Sequence, residues 1–175
     1  MKRKIGILPL FLLFCIFIPL QANGLDKEEK KPSKTATGQP KEIGREEQFI
    51  AYDNGTVLDT KTNLIWASKS SKTMTWSNAK TYIENYKGAG YTDWRMPTEA
   101  ELESLFDPWM KSPKGYLLTK YIDIQACCPW TSGTKPKDPG DQYRAVFDFS
   151  NGQPYYGTKI NDTASPALPV RGGKK

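Results

Sequence analysis

The hydrophobic positions that follow residue 48 begin with a pattern that predicts a β-hairpin. A short apolar run at 56–58 follows the turn pair Asn54-Gly55, and four polar residues, 60–63, separate this run from Leu64-Ile65-Trp66. Two short apolar runs bounded by Asn, Gly and other polar residues favour two strands joined by a tight turn. We therefore expect the folded region to open with a hairpin.

The next hydrophobic positions recur with helical spacing and predict a helix after Thr75, which is a suitable N-cap. Gly88 follows the last apolar position and can adopt the left-handed conformation that ends many helices. The predicted apolar face consists of residues spaced three or four positions apart: Trp76, Ala79, Ile83 and Tyr86.

A second helix is predicted from residue 99 to about residue 106. Pro97 prevents any earlier helix from continuing, and Thr98 is followed three positions later by Glu101. This spacing is typical of a capping box, in which the hydroxyl and the carboxylate each accept a backbone N–H group. A proline two residues beyond the apolar positions is expected to stop the helix.

Loops are predicted between residues 107 and 139, because this segment contains five prolines and little periodicity. A short strand is expected only at Trp130-Thr131-Ser132. Segments of this kind often carry binding surfaces. The long-loop region is therefore the first place to search for a ligand site.

A second hairpin is predicted beyond the loops. Hydrophobic residues alternate over 143–149, Ser150-Asn151-Gly152 can form a turn, and 154–157 can return as the second strand. Residues 167–171 are expected to close the sheet beside an early strand. Hairpin, two helices, loops and a final antiparallel sheet together predict an α+β domain, with two short helices packed on antiparallel hairpins.

The first 24 residues predict a cleaved signal peptide. Three basic residues, 2–4, precede an apolar run of 16 residues, and Ala22-Asn23-Gly24 offers the small residues that signal cleavage needs. An uncleaved anchor is the alternative, but the run is shorter than the roughly 20 residues that span a bilayer. We expect a periplasmic or extracellular protein with no stable membrane insertion after cleavage.

Residues 25–47 predict a disordered charged linker, because they contain few apolar side chains to offset the entropy of ordering the chain. The folded domain is accordingly expected to span 48–173. On this interpretation, a mature protein shortened to begin at Gln48 keeps its thermal midpoint.

Charge and composition exclude several function classes. The chain has a net charge of +6, and removal of residues 1–24 leaves 22 basic and 19 acidic residues, which does not favour nucleic-acid binding. Histidine is absent, so Ser-His-Asp and Cys-His catalytic arrangements are excluded. The nearby Glu99, Glu101 and Glu103 do not share one helix face. The sequence predicts a protein that is not an enzyme, with no catalytic residue and no cofactor.

Cys127 and Cys128 are the two cysteines outside the signal peptide. Adjacent cysteines do not form an ordinary bridge without a strained ring. We expect one buried side chain beside one half-exposed thiol. A vicinal disulfide, an intermolecular bridge and a metal site remain open as alternatives.

Several short runs together carry a family resemblance. They are Gly90-Tyr91-Thr92-Asp93-Trp94-Arg95-Met96-Pro97-Thr98-Glu99-Ala100-Glu101-Leu102, Asp53-Asn54-Gly55-Thr56-Val57, Leu64-Ile65-Trp66, Trp130-Thr131-Ser132 and Val170-Arg171-Gly172-Gly173. In these runs the chain resembles the Lcl C-terminal domain family, long catalogued as a domain of unknown function, over roughly residues 49–173. The resemblance implies a C-type-lectin-like fold.

The run 95–101 is also similar to part of the formylglycine-generating (sulfatase-modifying) enzyme family. Those enzymes use cysteines beyond their Arg-Gly-Gly run, whereas only Lys174 and Lys175 follow the corresponding glycines here, so we do not expect their activity. Sugar-binding C-type lectins hold calcium through Glu-Pro-Asn-like and Trp-Asn-Asp-like runs, and neither run occurs in this sequence. No metal site is expected.

Ten residues are expected to have structural roles. Four tryptophans lie at family-like positions within predicted elements, while Asp93 and Arg95 can pair or bind backbone groups to order the loop between the helices. The full set is Trp66, Trp76, Asp93, Trp94, Arg95, Pro97, Thr98, Glu101, Trp130 and Arg171.

The expected ligand surface lies between residues 107 and 140. Trp109 is the tryptophan expected to be exposed, and nearby lysines could attract an anionic polymer: Lys111, Lys114, Lys120, Lys135 and Lys137. Named members of the resembled family are linked to adhesion and to sulfated glycosaminoglycan binding. The resemblance therefore implies a non-catalytic recognition domain for acidic or sulfated polysaccharide or an envelope partner, with a structural envelope protein and a formylglycine-related enzyme as alternatives.

Overall fold

The computed structural model describes residues 38–134, 142–162 and 164–173. These residues form mostly antiparallel β-structure with two short helices, which confirms an α+β arrangement. In chain order the elements are β1 (Glu42–Glu46), β2 (Phe49–Tyr52), β3 (Thr56–Asp59), β4 (Leu64–Ala67), β5 (Thr73–Met74), α1 (Trp76–Glu84), a 3₁₀ turn (Gly88–Gly90), α2 (Glu99–Glu103), β6 (Trp130–Thr134), β7 (Tyr143–Asp148), β8 (Gln153–Lys159), β9 (Ser165–Pro166) and β10 (Val170–Gly172).

The largest sheet has the strand order β1-β2-β3-β4-β10, with every neighbouring pair antiparallel. Its β3–β4 hairpin confirms the first predicted hairpin. Asp59 fixes the turn, because its carboxylate accepts hydrogen bonds from Lys61 N at 2.9 Å and from the Thr62 hydroxyl at 2.7 Å. The last strand places Val170 opposite Trp66 of β4, which confirms that the chain end closes the sheet beside an early strand.

The sheet begins at β1, which precedes the domain start predicted at Gln48. This strand carries charged residues that lack a core pattern, yet it pairs with β2 through its backbone. Glu46 also accepts hydrogen bonds from the Thr119 hydroxyl at 2.7 Å and from Lys120 N at 2.9 Å. Residues 42–47 therefore belong to the domain, whereas the predicted signal peptide and most of the predicted linker lie outside the described residues.

A smaller sheet, with the order β6-β7-β8, contains the second predicted hairpin and the short strand predicted at 130–132. In the β7–β8 turn, Asp148 accepts a hydrogen bond from Ser150 N at 2.8 Å. Gly152 has φ +75°, and a Cβ there would lie 2.6 Å from the ring of Phe106. The turn therefore needs glycine both for its backbone conformation and for close packing.

The two helices begin at the predicted caps. The Thr75 hydroxyl accepts from Asn78 N at 3.3 Å, and Thr98 and Glu101 form the predicted capping box. The second helix is shorter than predicted, because Leu105 N and Phe106 N bond to carbonyls only three residues back, at 3.0 Å each. Among the described residues, no helix is long and apolar enough to cross a membrane.

Two apolar clusters form the described core. One contains Leu102 of α2 with Phe49, Trp66 and Phe147, and the other contains Ile83 of α1 with Trp94 and Trp130. Each helix therefore packs against a different cluster. Both helices contribute only one stripe of side chains, as expected for short amphipathic helices on a sheet-based core.

Candidate functional site

Trp109 lies on a tightly held turn after α2 and points into solvent. Its side chain is 92% exposed, whereas the adjacent Met110 is only 6% exposed and packs in the larger core cluster. Asp107 fixes the turn, because its carboxylate accepts from Trp109 N at 2.8 Å and its carbonyl from Met110 N at 3.2 Å. The buried neighbour and the bonded turn therefore present the indole on a well-defined backbone.

The segment after Trp109 is also held by backbone contacts. Ser112 N donates to Tyr116 O at 2.9 Å, and the Ser112 hydroxyl accepts from Tyr116 N at 3.2 Å. Asp107 N donates to Leu117 O at 3.1 Å, which ties the loop start to its return. The whole loop from 107 to 118 consequently forms one anchored projection.

The predicted lysines differ in their surroundings. Lys114 pairs with Asp123 at 3.5 Å, and Lys120 pairs with Glu46 at 3.6 Å. Lys111 is exposed and has no ion pair within the described part of the chain. Lys135 and Lys137 fall outside the described residues. Of the three predicted lysines that the structure describes, Lys111 is the one whose charge is not offset by a contacting carboxylate.

Arg95 and Asp93 do not pair with each other. Arg95 forms a two-pronged contact with Glu101, at 2.7 and 2.5 Å, and its second nitrogen also donates to Gly172 O at 3.1 Å. Burial acts to raise the pKa of Glu101, but the hydrogen bonds from Arg95 and from Thr98 N, with the charge of Arg95, outweigh it and lower that pKa. This contact joins the capping box of α2 to the last strand.

Asp93 instead accepts two hydrogen bonds from Arg171 of β10, at 2.7 and 3.0 Å. The hydrogen bonding by Arg171 lowers the pKa of Asp93. The Arg171 guanidinium also lies over the ring of Tyr91, 3.7 Å from its centroid. A second ion pair therefore fastens the inter-helix loop to the closing strand.

The four tryptophans assigned structural roles lie in or against the core. Trp66, Trp94 and Trp130 are buried, and Trp76 is half-buried beneath the guanidinium of Arg144 at 4.3 Å. Three indole N–H groups donate to backbone carbonyls: Trp76 to Thr131 at 3.0 Å, Trp94 to Gly88 at 3.1 Å and Trp130 to Met74 at 2.9 Å. Pro97 is also buried, and its carbonyl accepts from Ser132 N at 2.7 Å.

Cys127 and Cys128 form a vicinal disulfide, so the expectation of separate thiols is wrong. The segment is positioned by β7 and its turn, because Phe149 N donates to Cys127 O at 3.0 Å and Phe147 N to Pro129 O at 3.2 Å. The two sulfurs lie within 4.8 Å of a carboxylate oxygen of Asp148. As a disulfide they carry no thiolate, so these three side chains do not form a metal-ligand set in this state.

A cavity of about 320 Å³ lies beside this disulfide. Its lining includes Asp148 and Val146 of β7 and Tyr155 of β8. Sequence patterning gave no signal for this cavity, since it depends on the approach of the disulfide segment to the second hairpin.

Residues 55–171 match the family model described as the Lcl C-terminal domain. The matched range covers β3 to the middle of β10, and includes the exposed turn, both ion pairs and the disulfide. No curated protein matches the chain.

Proposed function

Because the chain belongs to the Lcl C-terminal domain family, we propose that it is a non-catalytic recognition domain that binds acidic or sulfated polysaccharide. The proposed ligand surface, called here the Trp109 surface, comprises Trp109 and Lys111. Lys114, Lys135 and Lys137 are proposed as additional contributors of positive charge. Adhesion through an envelope polymer is the corresponding biological role.

The exposed indole of Trp109 is the observation that carries this proposal. Tryptophan is usually well buried, because its ring removes a large apolar area from water. Here 92% of the side chain is exposed on an anchored turn whose next residue is buried. Because the backbone of this turn is already ordered, its indole offers a flat face to the C–H groups of a sugar ring without the entropic cost of ordering a loop.

Positive charge next to the indole would supply attraction to sulfate or carboxylate groups. Lys111 carries the exposed charge closest in sequence, and Lys114 shares its charge with Asp123 at 3.5 Å. We therefore expect the aromatic contact to dominate affinity and the lysines to set the salt dependence.

The C-type-lectin-like fold and the export of the protein are part of the same proposal. The early strand β4 pairs with the final strand β10. This pairing supports a lectin-like closure of the sheet. Disulfides persist mainly in oxidising compartments, so the Cys127–Cys128 bond supports a periplasmic or extracellular location after removal of residues 1–24.

Binding of heparin, alginate and uncharged dextran to the mature protein tests the proposal. We expect the two acidic polymers to bind and dextran to bind poorly, with affinity decreasing as salt rises past about 0.15 M. Trp109→Ala should abolish most binding without changing the thermal midpoint, because the indole contributes little to the core.

Lys111→Gln should weaken the binding of the acidic polymers at low salt. Lys72→Gln is the matched control, since Lys72 is also exposed and has no ion pair among the described residues. Full binding by a folded Trp109→Ala variant would contradict the assignment of this surface.

A further inference from the structure

We propose that the cavity beside the Cys127–Cys128 disulfide is a second binding site, which takes a neutral sugar ring. This site differs from the Trp109 surface in its residues and in the charge of its ligand. It extends the proposed recognition function, but its test does not require that acidic polymers bind.

The size of the cavity fits a small ligand. Its volume of about 320 Å³ lies at the lower end of the range of roughly 300–1,000 Å³ that is typical of small-molecule sites. Apolar surface comes from the disulfide, Val146 and Pro154, and polar groups come from the β7–β8 turn. A few polar groups around an apolar wall are typical of such sites.

Tyr155 provides an aromatic platform at the cavity. Its side chain is 59% exposed, which is unusual for a large aromatic residue on a strand. The ring lies along its own strand over Gly157, where a Cβ would come within 2.3 Å of the Tyr155 hydroxyl oxygen. The missing side chain at 157 therefore allows the ring to lie in this position.

The polar lining can bind hydroxyl groups. Within the described residues, the Gln153 amide and the Thr158 hydroxyl have no hydrogen-bond partner, and both line the cavity. Asp148 accepts from Ser150 N at 2.8 Å and from the Asn151 amide at 3.3 Å. A carboxylate has about four acceptor positions, so it can still accept a sugar hydroxyl.

The charge of the lining selects against acidic sugars. Among the described residues that line the cavity, Asp148 is the one with a formal charge. A sulfate or uronate placed here would meet a carboxylate of like charge, and the described residues that line the cavity include no lysine or arginine. The cavity therefore fits a neutral hexose, whereas the Trp109 surface fits an anionic chain.

Saturation-transfer NMR with methyl glycosides of glucose, galactose and N-acetylglucosamine, and with glucuronic acid, tests this inference on the oxidised mature protein. We expect at least one neutral glycoside to bind, and glucuronic acid to bind more weakly. Tyr155→Ala should weaken binding about tenfold, in line with the loss of an aromatic contact, while Tyr155→Phe retains it.

Gly157→Ala gives a second test that keeps the tyrosine, because the new methyl group forces the ring away from its position. This variant should also weaken the binding of the neutral glycoside, and its thermal midpoint should be unchanged. Trp109→Ala should leave glycoside binding intact, which separates this site from the polymer surface.

Three outcomes would overturn the inference: no neutral glycoside binds, binding survives in both Tyr155→Ala and Gly157→Ala, or glucuronic acid binds more tightly than every neutral glycoside. Loss of polymer binding in Trp109→Ala with retained glycoside binding supports both sites. Failure of polymer binding alone would overturn only the function proposed for the Trp109 surface.

Discussion

At the scale of single residues, two charged side chains in the inter-helix loop find partners that sequence proximity does not suggest. Asp93 and Arg95 are two positions apart, but Arg171 lies 78 positions from Asp93 and Glu101 lies six positions from Arg95. The spacing of Thr98 and Glu101 correctly predicted the capping role of Glu101. It did not show that the same carboxylate also binds Arg95, because one carboxylate can accept several donors and local spacing indicates only the nearest.

Arg95→Ala should lower the free energy of unfolding by about 2 kcal/mol, because it removes charge-assisted hydrogen bonds to Glu101 and a bond to Gly172 O. Urea unfolding of the variant and the wild type measures this difference. Arg45→Ala is the matched control, since Arg45 pairs with Glu42 on an exposed strand and should cost less than about 1 kcal/mol. Equal losses in the two variants would contradict the role assigned to Arg95.

The same contact predicts a pH dependence. The pKa of Glu101 lies below its usual 4.5 in the folded protein, so this group contributes stability that is complete above pH 4.5 and is lost as pH falls through the folded pKa. The difference in unfolding free energy between wild type and Arg95→Ala should therefore narrow under acid conditions. Urea unfolding across a pH series measures it, and a difference that stays constant into strong acid would exclude the linkage.

At the scale of elements, the segments with a clear hydrophobic pattern were predicted, whereas β1 and the two-residue strands β5 and β9 were missed. Both hairpins and both helix starts followed from apolar periodicity and cap residues. Strand β1 could not be predicted in this way, because its charged side chains lie at the edge of a sheet and its stability comes from backbone pairing with β2. Charged edge strands of this kind protect a sheet from pairing with other chains.

Removal of β1 should destabilise the domain. A protein that begins at Gln48 loses the pairing with β2 and the Glu46 contacts to Thr119 and Lys120, so we expect a clearly lower thermal midpoint. A protein that begins at Gly38 retains all of these contacts and serves as the control. Differential scanning calorimetry measures the thermal midpoints of the two proteins, and equal midpoints would show that the stable domain begins at Gln48.

At the scale of the whole molecule, the sequence predicted the α+β class, the two hairpins, the two helices and the closing strand, but not the sites that distant segments form together. The Cys127–Cys128 cavity depends on tertiary contacts among the disulfide segment, β7 and β8, and no local sequence pattern predicts these contacts. The exposure of Trp109 was predicted from its position in a proline-rich loop, and the structure places it in solvent. The charge around it was harder to foresee, since Asp123 pairs with Lys114 through tertiary contact.

The position of β10 determines when the largest sheet can be completed during folding. Its Val170 is bonded through its backbone to Arg95 and is paired with Trp66, so the last strand of the described fold completes a sheet that begins near the start of the domain. Pairings between sequence-distant segments form slowly, because the entropy of closing the intervening chain is lost first. Until β10 is available, for example while synthesis of the domain is still in progress, the five-stranded sheet consequently cannot be completed.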